Sequence, residues 1–232
     1  MASMRTSKLL LLICYVSLLC FVSSSSSSDI SKTSSSKVSL GVYYESLCPY
    51  CSRFIVNHIS KLFEDDLISI VDLHLSPWGN SKFNSENDTF TCQHGEYECF
   101  LDTVESCVMD VWPESSDHFP FISCIGSLVL EHKYEKWETC YEKHNLKSKP
   151  VEDCLSSGRG KELQLQCAAE MNAFNPPHNI LPWVIVDGQP LYKVRLVCFF
   201  LKDSAYFFLL NTFILLCYKW YLYIQVAVIL DL

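Results

Sequence analysis

Between residues 37 and 45, Val38, Leu40, Val42 and Tyr44 alternate with smaller or polar residues, and this period of two predicts a β-strand. Just beyond it, Phe54, Ile55, His58, Ile59, Leu62 and Phe63 recur at spacings of three and four, which places them on one face of an amphipathic helix. Residues 68–75, rich in Ile, Val and Leu and stopped by Pro77, predict a second strand, so the three segments form a βαβ unit. Residues 76–88 are polar and turn-rich, and predict a loop. Helical spacing returns over 96–112 with Tyr97, Leu101, Val104, Val108 and Val111, and further helices are expected at 119–132, 134–143 and 161–174. Asn175-Pro176-Pro177 ends the last of them. The apolar run 180–186 predicts a strand, Asp187-Gly188 a hairpin turn, and 189–193 the return strand.

The two ends follow other patterns. Arg5 and Lys8 precede an apolar run over 9–22 and then a serine run, the layout of a secretory signal, expected to occupy 1–28. Residues 29–36 continue as a serine-rich leader. Residues 194–232 form a hydrophobic tail broken by few charges, Lys219 among them. Three readings of that tail stand side by side: an aberrant C-terminus from splicing or a misread gene end, a membrane anchor, and a buried helix.

Composition narrows the class. The chain of 232 residues is 49% hydrophobic and 19% charged, enough to bury a core. Loss of residues 1–28 removes Arg5 and Lys8 and takes the formal balance from −8 to −10, which argues against nucleic acid and anionic membrane surfaces as partners. Thirteen cysteines behind a secretory signal imply an oxidising route and a disulfide framework. Cys124, Cys140, Cys154 and Cys167 fall about one per helical segment, the distribution of staples rather than active thiols. Asn87-Asp88-Thr89 is a glycosylation sequon, with Asn87 the acceptor.

The candidate chemistry lies between the first strand and the first helix, in Leu47-Cys48-Pro49-Tyr50-Cys51. The thiolate is the nucleophile of disulfide exchange, and unpaired N–H groups at a helix start favour it. Cys48 precedes the first turn, Pro49 suits the first helical position, and Cys51 follows three residues on. Cys48 is therefore the expected attacker and Cys51 the resolving thiol. Half of a zinc site and an inert structural disulfide are the competing readings, but no second Cys-x-x-Cys or His-x3–5-His completes a zinc site. His58, inside the apolar stripe, reads as a core histidine.

A longer motif follows, Cys92-Gln93-His94-Gly95-Glu96-Tyr97-Glu98-Cys99 with Cys107 beyond it. Together with the Cys-x-x-Cys site it resembles the gamma-interferon-inducible lysosomal thiol reductase family, whose signature is C-Q-H-G-x2-E-C-x2-N-x4-C. Asp102 stands where that signature has Asn, which adds a charge and removes a donor. The resemblance covers about 38–193. It implies an α/β, thioredoxin-like fold over 37–193 with a disulfide-rich helical insertion at about 91–160. It also implies a cis-proline facing the redox pair. Pro182 matches that position, with Leu181 offering its backbone to an extended substrate. Within the signature, His94 and Glu98 read as structural residues at a helix start as readily as acid–base groups.

The expected function is a thiol–disulfide oxidoreductase that reduces protein disulfides in the secretory, lysosomal or vacuolar system, or outside the cell. The resemblance implies no metal or organic cofactor. The expected partners are disulfide-bonded proteins and a thiol reductant, and a membrane only where the tail is a true anchor. Two alternatives stand beside this: a secreted binding module with a static Cys48–Cys51 bond, and a disulfide oxidase or isomerase.

Overall fold

The computed structural model describes residues 37–191, so the expected signal, leader and hydrophobic tail lie outside the described residues. The chain opens with β1 (Val38–Tyr44), continues through α1 (Pro49–Phe54), a π turn (Ile55–Ile59) and α2 (Ser60–Glu64), and returns as β2 (Val71–Pro77). Strand β2 runs parallel to β1 in the register Val38↔Val71 to Tyr44↔Pro77, the expected βαβ unit. Its start falls later than the apolar run suggests, because Leu67–Ile70 forms a 3-10 turn. Strands β5 (Trp183–Val186) and β6 (Gln189–Pro190) complete a sheet of order β2-β1-β5-β6. The β5–β6 turn falls at Asp187-Gly188, both at positive φ.

The first helix meets the expected stripe with one deviation. Ile55, Ile59 and Leu62 are buried and Phe54 and Phe63 pack beside them, yet the middle of the helix widens into a π turn. The Ser60 hydroxyl donates to the carbonyls of Ile55 and Val56, which satisfies oxygens at the widened turn. His58 is only half-buried and stacks on Phe54 at 5.4 Å.

Between β2 and β5 come the hairpin β3 (Lys82–Asn84) and β4 (Thr89–Thr91), then α3 (Glu96–Val111), α4 (Ser115–Leu130), a 3-10 turn (Tyr134–Lys136), α5 (Thr139–Lys143), α6 (Ser148–Ser156) and α7 (Arg159–Asn172). The hairpin corrects the expected polar loop. Phe83 and Phe90 meet across it at 5.3 Å, and Phe90 meets Trp78 edge-on, so two isolated aromatics supply the apolar face. Asn87 is exposed at its turn. Helix α6 also goes beyond the expected elements, its Pro150 lying in the first turn where no intrahelical N–H is required.

Two cores flank the sheet. Val38, Leu40, Val42 and Tyr44 face the larger one with α1, α3 and α4, while Tyr43 and Trp183 face a smaller one with Trp78, Ala168 and Met171. Coverage on both faces leaves Ser39 the one exposed residue of β1. Disulfides Cys92–Cys99, Cys107–Cys154 and Cys124–Cys140 staple the helical region. Cys167 departs from its expected role as a staple: it remains a thiol, half-buried on α7. Among the described residues no helix is long and apolar enough to cross a membrane.

Candidate active site

Cys48 is the N-cap of α1, with extended backbone and Pro49 in the first turn behind it. Its carbonyl accepts the Ser52 N–H at 2.9 Å, and its own N–H donates to the Glu45 carbonyl at 3.3 Å. Both cysteines are thiols, Cys51 fully buried and Cys48 nearly so, while Tyr50 between them is 71% exposed. The Cys51 thiol donates to Cys48, and this bond is the main reason Cys48 titrates at about 6 despite its burial. The backbone N–H groups of Cys51 and Tyr50 and the nearby His94 lower it further. Cys51 is pushed the other way, first by that same bond and then by burial. One sulfur is thus poised as thiolate and its neighbour holds the proton.

Strand β5 brings the second half of the site. The antiparallel register Tyr43↔Trp183 carries Pro182 to the end of β1 that leads into Glu45 and Cys48. The Leu181–Pro182 peptide bond is cis. Gly79, at φ +54°, lies between the two halves: a Cβ there would stand 2.3 Å from Glu45 Cγ and 2.7 Å from Leu181 Cδ1.

The long motif folds against the same place. The Cys92–Cys99 disulfide ties the loop to the first turn of α3, and Gly95 starts that helix at φ +97°, a conformation suited to glycine. His94 Nδ1 lies 2.6 Å from Glu98 Oε2, and the His94 backbone N–H donates to Glu98 Oε1 at 2.9 Å. Glu45 Oε2 is 3.5 Å from the same Nδ1, and Glu45 Oε1 accepts the Asn80 N–H at 2.9 Å. Gln93 accepts a hydrogen bond from Asn80 Nδ2. Burial raises Glu45 to about 7, the charge of Glu98 and of the Cys48 thiolate adding to the effect while the Asn80 N–H and His94 oppose it. Donor atoms of Glu45, His94 and Glu98 all lie within 4.8 Å of one another, close enough to hold a cation. Since both Glu98 oxygens already bond His94 and Glu45 takes Asn80, the set reads as a proton-sharing network.

Asp102 lies one turn deeper on α3. Its Oδ1 accepts the Ser46 N–H at 2.9 Å, as an amide oxygen would, while its buried Oδ2 has no partner among the described residues. Burial raises its proton affinity strongly, and the protonated acid is an isostere of the signature Asn. Tyr44 donates to Glu105 at 2.6 Å another turn along. Cys107 is remote in role, stapled to Cys154 on α6.

The structure thus gathers Cys48, Cys51, Leu181, Pro182, Gln93, His94 and Glu98 around the start of α1. Sequence reasoning missed Glu45, Gly79 and Asn80. Glu45 had a signal: a carboxylate between an apolar strand and the Cys-x-x-Cys is costly to bury without a purpose.

The comparisons agree with this geometry. The family model for gamma interferon inducible lysosomal thiol reductase matches residues 39–144. The chain is 41% identical over 157 residues to the gamma-interferon-responsive lysosomal thiol protein of Arabidopsis thaliana, a match covering 68% of this chain and 64% of that protein. It is 31% identical over 158 residues to the gamma-interferon-inducible lysosomal thiol reductase of Mus musculus, covering 66% and 62%. The chain therefore matches just under two thirds of the length of these relatives. The crystal structure of Chlamydia trachomatis DsbA superposes with a TM-score of 0.50 at 13% identity, over 74% of this chain and 89% of that one. That likeness shows the fold, which is thioredoxin-like. On motif, fold and relatives together, the chain is similar to the gamma interferon inducible lysosomal thiol reductase family over residues 39–144.

Proposed function

We infer that this chain is a thiol–disulfide oxidoreductase that reduces disulfide bonds in proteins. The observation that carries the reading is the asymmetry of the pair at the helix start, Cys48 titrating at about 6 beside a Cys51 whose proton is held more tightly. The Cys48 thiolate attacks a substrate disulfide, a mixed disulfide forms, and one substrate sulfur leaves as a thiol after taking a proton from water. Cys51 then loses its proton and attacks Cys48 Sγ, which closes the Cys48–Cys51 bond and releases the second substrate thiol. Leu181 and Pro182 hold the substrate strand across the site. A thiol reductant returns the pair to the dithiol, and no cofactor enters the cycle. The relatives are named as lysosomal, and a secretory route toward an acidic lysosome or vacuole, with Asn87 glycosylated on the way, suits the sequence.

The test is Cys48→Ser. The variant should lose reduction of a disulfide-bonded protein, and Cys51→Ser should accumulate a mixed disulfide visible by mass; unchanged reduction by Cys48→Ser overturns the reading. Equilibration with a dithiol buffer gives a second check, since a potential well below about −300 mV would mark the bond as static.

A further inference from the structure

A groove of about 630 Å³ opens beside the redox pair, lined by the β2–β3 connection, the long motif and the segment before the cis-proline. Its size falls in the range of ligand sites. Asn80 anchors it on one side, through its backbone bond to Glu45, the residue three before Cys48. On the other side stands His178, four residues before Pro182. The groove therefore borders both halves of the site.

The lining is prepared for a polar chain. Ser81 is only 8% exposed, and its hydroxyl has no partner among the described residues. His178 Nδ1 is buried and equally unpartnered, while its Nε2 is held by Asn80 Oδ1 at 3.1 Å. Asn80 in turn holds Gln93, so the chain His178–Asn80–Gln93 is fixed and leaves Ser81 Oγ and His178 Nδ1 available to a ligand. Trp78 and Met171 supply apolar wall. Lys82 adds a positive charge and, among the described residues, no Asp or Glu lines the groove, in a chain with 26 acidic residues against 18 Lys and Arg. A rim of hydrogen-bonding groups over apolar walls, free of carboxylates, fits a neutral or acidic peptide whose backbone is extended.

Resting on the proposed reductase reading, we propose that this groove seats the polypeptide segment flanking the substrate's disulfide, gripping its backbone through Ser81 and His178. It is a binding site for an extended peptide, separate from the Leu181–Pro182 contact, and it makes the protein selective for disulfides in polypeptides over small disulfides.

Two variants test this in the full chain: Thr91→Trp, which fills the groove from exposed β4, and the gentler pair Ser81→Ala with His178→Ala. The two substrates are a disulfide-linked peptide and bis(2-hydroxyethyl) disulfide, with dithiothreitol as reductant. Reduction of the small disulfide by the unaltered protein reports on the reductase reading itself. Both variants should lower kcat/KM for the peptide about tenfold through KM, the scale of one or two lost hydrogen bonds, and leave the small disulfide unchanged. Equal loss on both substrates, or none on the peptide, overturns the proposal, as does a loss that follows the dithiothreitol concentration instead. Calorimetric binding of a cysteine-free version of the peptide to Cys48→Ser supplies a readout that needs no activity: binding should be lost with Thr91→Trp, and binding that survives it overturns the groove.

Discussion

At the scale of the residue, the site depends on where single protons rest. Cys48 titrates at about 6, so its thiolate is present above that pH and is lost as pH falls through it. Iodoacetamide labelling of Cys48 should therefore rise to half its maximum near pH 6. Glu45→Gln should leave that midpoint nearly unchanged, because a Glu45 raised to about 7 already carries its proton there, whereas His94→Gln should move it up. The signature position gives a second expectation. Asp102→Asn keeps the oxygen that accepts the Ser46 N–H and ends the need to bury an acid. It should stabilise by about 1 kcal/mol at pH 7, a rise of ~2–4 °C in Tm, and by much less at pH 4.5, where the carboxyl of the unfolded chain is itself close to taking up its proton. Thermal scans at the two pH values decide it. Cys48, Cys51 and Pro182 were legible because motif and context name them. Glu45 and Asn80 were not, since their roles come from a loop fold that brings position 80 onto position 45.

At the scale of the element, α3 carries the unusual load. Glu98, Asp102 and Glu105 recur at helical spacing and all are buried, facing the Tyr44–Ser46 end of β1. Burial raises Glu105 to about 8 and Glu45 to about 7. In the unfolded chain such groups titrate near 4. Between those values the folded form binds more protons, so stability is full below about pH 4 and falls as pH rises through 7 and 8. The unfolding midpoint should therefore drop from pH 5 to pH 8, and Glu105→Gln should flatten that fall while leaving the pH 5 value nearly unchanged. The apolar half of α3 was readable from Tyr97, Leu101, Val104 and Val108. Its acidic half was not, because a charged stripe normally marks a solvated face. Only the packing of Tyr44, His94 and Ser46 against it shows that the stripe points inward.

At the scale of the whole molecule, the sheet supplies the axis and the disulfides hold the helices around it. Cys107–Cys154 joins α3 to α6 across 47 residues. Replacing both with Ser should cost about 2–4 kcal/mol, measured as a lower urea midpoint, with the Cys48 labelling profile unchanged. The βαβ unit and the terminal hairpin were readable from periodicity and the Asp187-Gly188 turn. The second core was not, because Tyr43, Trp78 and Met171 meet only after α7 folds back under the sheet. The order of these parts along the chain has a consequence in time. All three bonds lie between residues 92 and 154, and the strand that follows Pro182 begins at 183. A polypeptide leaving the ribosome amino-end first presents every one of those sulfurs, with Cys48 and Cys51 ahead of them, before the strand at 183–186 has been made. Until residue 183 is made, those sulfurs have the helices between 96 and 172 around them but not the completed sheet.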